Sequence, residues 1–147
     1  MSSDEMHIYD FEIFKALVEL EIKRIERYGK NSYFAIAFLY APELANKFKS
    51  KTNQFSDLDV AFLIKDNIRS SDVISPVEED FVFLFFPETN KDNAKIIINR
   101  LKEILGALEI IDGIAGYPED GKDKNALFGK LVDEMNKKLV PPINIED

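Results

Sequence analysis

The chain contains no cysteine and only one histidine, His7, among its 147 residues. The lack of thiols excludes a disulfide framework and a thiolate zinc site. With so little imidazole, a Ser-His-Asp arrangement could form only through His7, close to the N-terminus. There is no Gly-x-x-x-x-Gly-Lys phosphate loop. The opening residues Met1 to Met6 have neither a basic nor an apolar segment of the kind that directs secretion, and no apolar run reaches the roughly 18 residues a membrane helix requires. Basic residues are also outnumbered, 19 against 27 acidic, for a net charge of −8. They are scattered rather than gathered in a stripe, which argues against binding a nucleic-acid backbone. These absences lead us to expect a cytoplasmic protein that binds neither membrane nor nucleic acid and holds no metal or other cofactor. A pocket with two arginines could still take one compact anion.

The length suits a single domain spanning residues 1–147, able to bury about 70% of the surface its unfolded form exposes. From Asp10 to Tyr28, Phe11, Phe14, Val18, Ile22 and Ile25 recur at helical spacing, and Gly29 offers a left-handed stop. Tyr33 to Tyr40 is apolar on both faces and reads as an interior strand closed by Pro42. A short helix is expected over Glu43 to Lys49, then a firmer one capped by Ser56 and running to about Ile68. Asp72 to Ser75 and Phe81 to Phe86 read as a hairpin with its turn around Pro76 to Glu79, the second strand being central because it has no polar face. Thr89 or Asn90 caps a helix carrying Ala94, Ile97, Ile98, Leu101 and Leu105, which Gly106 ends. Leu108 to Ala115 reads as a fourth strand and Gly116 to Gly121 as a structural loop. A last helix from about Lys124 to Leu139 is stopped by Pro141-Pro142. This order predicts an α/β sandwich with a mixed central sheet, antiparallel in the hairpin and parallel where helices cross over.

The element order, with Arg69-Ser70-Ser71-Asp72 before the hairpin, Pro87-Glu88-Thr89 after it and the Gly113-to-Gly121 stretch beyond, resembles the GGDEF family of diguanylate cyclases. The resemblance covers roughly Asp10 to Leu139 and implies the nucleotidyl-cyclase-like sandwich. Counting from Asp72 and back from Pro87 sets the five signature positions at Glu78, Glu79, Asp80, Phe81 and Val82. A one-residue gap would shift them to Val77 through Phe81. Neither register contains a glycine.

In the family, the signature glycines let the backbone approach nucleotide phosphates, and carboxylates there would add bulk and repulsion. The family's metal-binding Asp at the end of the first strand falls on Tyr40, which cannot replace a magnesium carboxylate at neutral pH. The Asn and Asp that contact guanine in the family find no match between Tyr40 and Arg69, where the chain is shorter. Its terminal Ala-Lys is replaced by Leu139 and Val140. The resemblance therefore implies a domain without cyclase activity and without catalytic residues.

What matches is the family's inhibitory site for cyclic di-GMP, an Arg-x-x-Asp ahead of the signature with a further Arg on the following helix. Arg69, Asp72 and Arg100 occupy those positions. Arginine forks grip phosphate oxygens or the Hoogsteen edge of guanine at two points, and an Asp accepts guanine N–H donors. A plain ion pair at a helix-to-strand junction would account for Arg69 and Asp72 as well. Glu78, Glu79 and Asp80 read as a solvated acidic turn rather than a cation site. The function expected is that of a catalytically inactive GGDEF-like signalling domain acting on an unidentified partner protein, with cyclic di-GMP at Arg69, Asp72 and Arg100 controlling the contact. The alternatives are a dedicated cyclic di-GMP receptor and a residual cyclase. Homodimerisation is a further option.

Overall fold

The computed structural model describes residues 8–29, 31–42, 60–106 and 109–139. The elements among them are helix α1 (Phe11–Tyr28), strand β1 (Phe34–Tyr40), helix α2 (Val60–Ile64) continued by a 3-10 turn at Lys65–Asn67, strands β2 (Val73–Glu78) and β3 (Phe81–Pro87), helix α3 (Lys91–Leu105), strand β4 (Ile111–Tyr117) and helix α4 (Lys124–Leu139). The expected helix over Glu43 to Lys49, the Ser56 cap, His7, Leu108 and Pro141-Pro142 lie outside the described residues.

The sheet order is β2-β3-β1-β4, and all three neighbouring pairs are antiparallel. This corrects the expected parallel neighbours. The helical crossovers do join strands of like direction, β1 to β2 and β3 to β4, but another strand inserts between the members of each pair, a split β-α-β arrangement. The parallel pairing described is an isolated bridge between Ile8 and Ile74 on the outer side of β2, where Tyr9 N–H also donates to Ile74 O at 2.9 Å.

Alternation along the strands sorts side chains onto two cores. On β1, Ala35, Ala37 and Leu39 face α2 and α3 together with Ile74, Leu84, Phe86, Ile98 and Leu101. Phe34, Ile36 and Phe38 face the other way, toward Phe14, Val18 and Ile22 of α1 and Leu127 and Leu131 of α4. The interior strands β1 and β3 are buried on both faces, which explains why neither has a polar side in sequence.

Three local expectations shift. Strand β2 runs on to Glu78, through Pro76, because it is an edge strand of the sheet and a register irregularity between Pro76 and Glu78 accommodates a residue that cannot donate to the ladder. Strand β4 starts and ends later than expected, since Tyr117 pairs with Phe34 and their rings stack at 5.1 Å. Gly29 caps α1 through its N–H to Ile25 O, yet at φ −115° it is not left-handed; the positive φ falls on Asn31 instead. A Cβ at 29 would stand 2.7 Å from Ser32 Oγ, which would have to turn away. Gly106 is left-handed as expected, at φ 65°.

Candidate functional site

The segment joining the 3-10 turn to β2 folds around Asp72. Asp72 N–H donates to Arg69 O, and Arg69 N–H donates back to Asp72 Oδ2, each at 2.9 Å. This reciprocal turn holds the carboxylate inside the protein, where its side chain is 1% exposed, while the Arg69 side chain remains 50% exposed. Arg69 Nη2 donates to Asp72 Oδ1 at 2.7 Å, and Nε lies 3.1 Å from Oδ1 and 3.3 Å from Oδ2. The same Nη2 also meets Pro87 O and Thr89 Oγ1, each at 2.8 Å. The guanidinium is thus fixed from two sides, by its own turn and by the link from β3 to α3. Among the described residues Nη1 makes no hydrogen bond, so its two N–H donors are available.

The hydrogen bond to Asp72 raises the Arg69 pKa above the ordinary arginine value, against the opposing effect of partial burial, with the charges of Asp72 and Glu88 adding to the rise. Arg69 is therefore a fixed cation. A cleft of about 300 Å³ opens beside it, lined also by Glu88, Thr89, Asn93, Ile96 and Ile97. Ile96 is largely exposed there and offers an apolar shelf. Glu88 sits at φ 54° and places a negative charge at the same rim.

Arg100 lies one turn further along α3 from Ile96 and Ile97 and does not line the cleft itself. Its Nη2 donates to Asn67 O at 2.7 Å, which fixes it to the end of the 3-10 turn two residues ahead of Arg69. All three residues singled out in the sequence thus meet one loop: Arg69 and Asp72 pair directly, and Arg100 braces the loop from the helix. Thr89 is what the sequence reading missed. It was a candidate helix cap, but Asn90 caps α3 by accepting from Asn93 N–H, leaving the Thr89 hydroxyl to receive Arg69. Its place in the Pro87-Glu88-Thr89 run was the available signal.

The hairpin tip, where the signature positions fall, has a different character. Glu78 pairs with Phe81, so Glu79 and Asp80 form the turn. Glu79 O accepts from Val60 N–H at 2.8 Å and Asp80 O from Ala41 N–H at 2.9 Å, tying the tip to the start of α2 and the end of β1. Tyr40 lies between Phe81 and Ile111 in the ladder, its ring 5.4 Å from that of Phe81. Among the described residues no group of three His, Cys, Asp or Glu side chains is placed to hold a metal ion.

No protein-family profile matches the chain, and no curated protein matches it. Solved structures do. A diguanylate cyclase protein from Thermotoga maritima superposes with a TM-score of 0.67 at 20% identity, covering 89% of this chain and 98% of that one. The GGDEF domain of YfiN from Pseudomonas aeruginosa gives 0.73 at 14% identity over 88% and 83% of the two chains. A Vibrio cholerae LapD structure comprising S helix, GGDEF and EAL, bound to c-di-GMP, gives 0.63 at 12% identity over 86% of this chain and 31% of that one. The chain has the fold of the GGDEF domains.

Proposed function

We propose that this chain is a regulatory GGDEF-fold domain without cyclase activity that binds cyclic di-GMP at Arg69, Asp72 and Arg100 and passes that signal on through contact with another protein. The observation that carries the ligand reading is the buried Asp72 holding a half-exposed Arg69, with an apolar shelf at Ile96 and a second arginine reaching the same loop from α3. The guanidinium is fixed on two sides, by Asp72 and by Pro87 O and Thr89. Here that fixing lowers the entropy lost when Arg69 Nη1 takes a phosphate oxygen or a guanine edge. Arg100 supplies the second positive charge a dinucleotide diester needs, offsetting Glu88. The LapD structure, of which a GGDEF domain of like fold is one part, is bound to c-di-GMP, which is in keeping with this choice of ligand.

The absence of cyclase activity rests on the hairpin. Side chains stand at both signature glycine positions in either register, the tip carbonyls of Glu79 and Asp80 are engaged by backbone N–H groups, and a tyrosine packed on Phe81 replaces the metal carboxylate. The protein-contact part of the reading follows from a domain that would recognise a signal without making it.

The test is a calorimetric titration of the purified chain with cyclic di-GMP, beside Arg69→Ala and Arg100→Ala. Loss of one charge-assisted contact is worth about 1.5 to 3 kcal/mol, so Arg69→Ala should weaken binding about 10- to 150-fold. No heat from the unaltered chain rejects the ligand. Incubation with GTP and magnesium or manganese should leave the nucleotide unchanged; formation of the cyclic product would overturn the inactive reading.

A further inference from the structure

On the other face of the sheet, α1 and α4 leave a groove of about 380 Å³ that is unconnected with the Arg69 loop. Its floor is aromatic. Phe11 stacks on Phe83 at 4.9 Å, Phe128 meets Phe11 edge-on at 5.7 Å, and Leu131 and Met135 complete the apolar lining. The charged side chains lining it are two cations, Lys15 from α1 and Lys124 from α4, with Asn125 as the remaining polar group. In a chain of net charge −8 this is a mostly apolar recess whose charged lining groups are cations.

The lysines have carboxylate partners, but these stand outside the groove. Lys15 Nζ is 3.2 Å from the largely exposed Glu12, and Lys124 Nζ is 3.3 Å from the half-exposed Glu19. Exposed pairs of this kind are weak and are readily exchanged for another anion. The Lys15 ammonium also lies 5.1 Å from the centre of the Phe11 ring, which places it against the groove floor. Volume, apolar lining and few polar groups are those of a small-molecule site.

We infer that this groove binds an apolar monocarboxylate, its tail on Phe11, Phe83 and Phe128 and its carboxylate between Lys15 and Lys124. The groove is lined by two cations and, apart from Asn125, by apolar side chains that offer no donor or acceptor to a second polar group. A buried polar substituent on the tail would therefore lose its water without compensation. This site is independent of the cyclic di-GMP reading and stands or falls by itself.

The experiment is a titration of the full chain, below micelle-forming concentrations, with the straight-chain carboxylates from hexanoate to tetradecanoate and with decanol as the uncharged control. Saturable binding of one decanoate per chain is expected, tightening roughly fourfold per added methylene until the tail fills the groove and then levelling off. Decanol should bind about tenfold more weakly. Lys15→Gln with Lys124→Gln should abolish that preference while decanol still binds, and both side chains are about one third exposed, so the substitutions keep the fold. Val132→Trp, at the half-exposed rim, should weaken decanoate and decanol alike. The inference is overturned by any of three results: no saturable binding, a carboxylate preference that survives the loss of both lysines, or affinity that climbs with tail length without levelling and ignores Val132→Trp.

Discussion

Arg69 and Asp72 share one ion pair with opposite exposure: the carboxylate is buried and the guanidinium reaches solvent. The fold therefore has a buried charge at Asp72 that Arg69 must satisfy, and a ligand meets the pair from the Arg69 side.

Arg69→Ala should consequently destabilise the protein by about 1 to 3 kcal/mol, because it withdraws charged donors from a buried carboxylate. Asp72→Asn, which removes the buried charge and keeps an acceptor for the Arg69 N–H, should cost about 1 kcal/mol. Urea unfolding of the two variants measures the order directly. A larger loss in Asp72→Asn would contradict this account of the pair.

Thr89 is buried, and its hydroxyl receives Arg69 Nη2 while lying 3.0 Å from Pro87 O. Thr89→Val keeps the shape and removes both contacts, for an expected loss of about 1 kcal/mol. Thr89→Ser should retain most of the stability. If binding at Arg69 depends on the guanidinium being held in place, Thr89→Val should also weaken cyclic di-GMP, and Thr89→Ser should not.

Two glycines should respond in opposite directions to alanine. At Gly113 on β4 a Cβ would stand 2.5 Å from Phe38 Cε2 and 2.9 Å from Glu134 Cβ, so Gly113→Ala should lower stability by about 1 to 3 kcal/mol. At Gly129, inside α4, a Cβ meets nothing within 4 Å, and Gly129→Ala should raise stability by roughly 0.5 to 1 kcal/mol. Thermal unfolding of the pair checks both signs at once.

Acid sensitivity should trace in part to Asp120. Burial opposes its ionisation, but the Lys91 hydrogen bond, the Gly116 N–H and the Lys91 charge together hold its carboxyl below the ordinary value of 3.8. A folded-state pKa below the unfolded one gives stability that is complete above 3.8 and is lost as pH falls from there through the lower folded value. Asp120→Asn should remove this contribution at neutral pH and flatten the acid limb of the stability curve. An unchanged slope below pH 4 would assign the acid limb to other carboxylates, among them Glu134, which its lysine neighbours also hold low.

Much of the architecture follows from local pattern. Hydrophobic spacing places α1, α3 and α4 nearly to the residue, and runs apolar on both faces mark β1 and β3 as interior strands, because periodicity and two-sided burial are properties of a short stretch of chain. The order of motifs also singles out Arg69, Asp72 and Arg100. Strand neighbours are a different matter: the sequence reveals that helices cross between strands, and only the assembled sheet decides that β3 inserts between β1 and β2 and that β1 inserts between β3 and β4. The role of Thr89 is likewise a tertiary result, since its partner Arg69 is twenty positions away. So is the groove between α1 and α4, where Phe11, Phe83 and Phe128 come from three distant elements and meet through packing alone. Sequence determined which surfaces had to be buried, because hydrophobicity is carried by each residue; tertiary structure decided which residues meet, because long-range contacts depend on how the whole sheet closes.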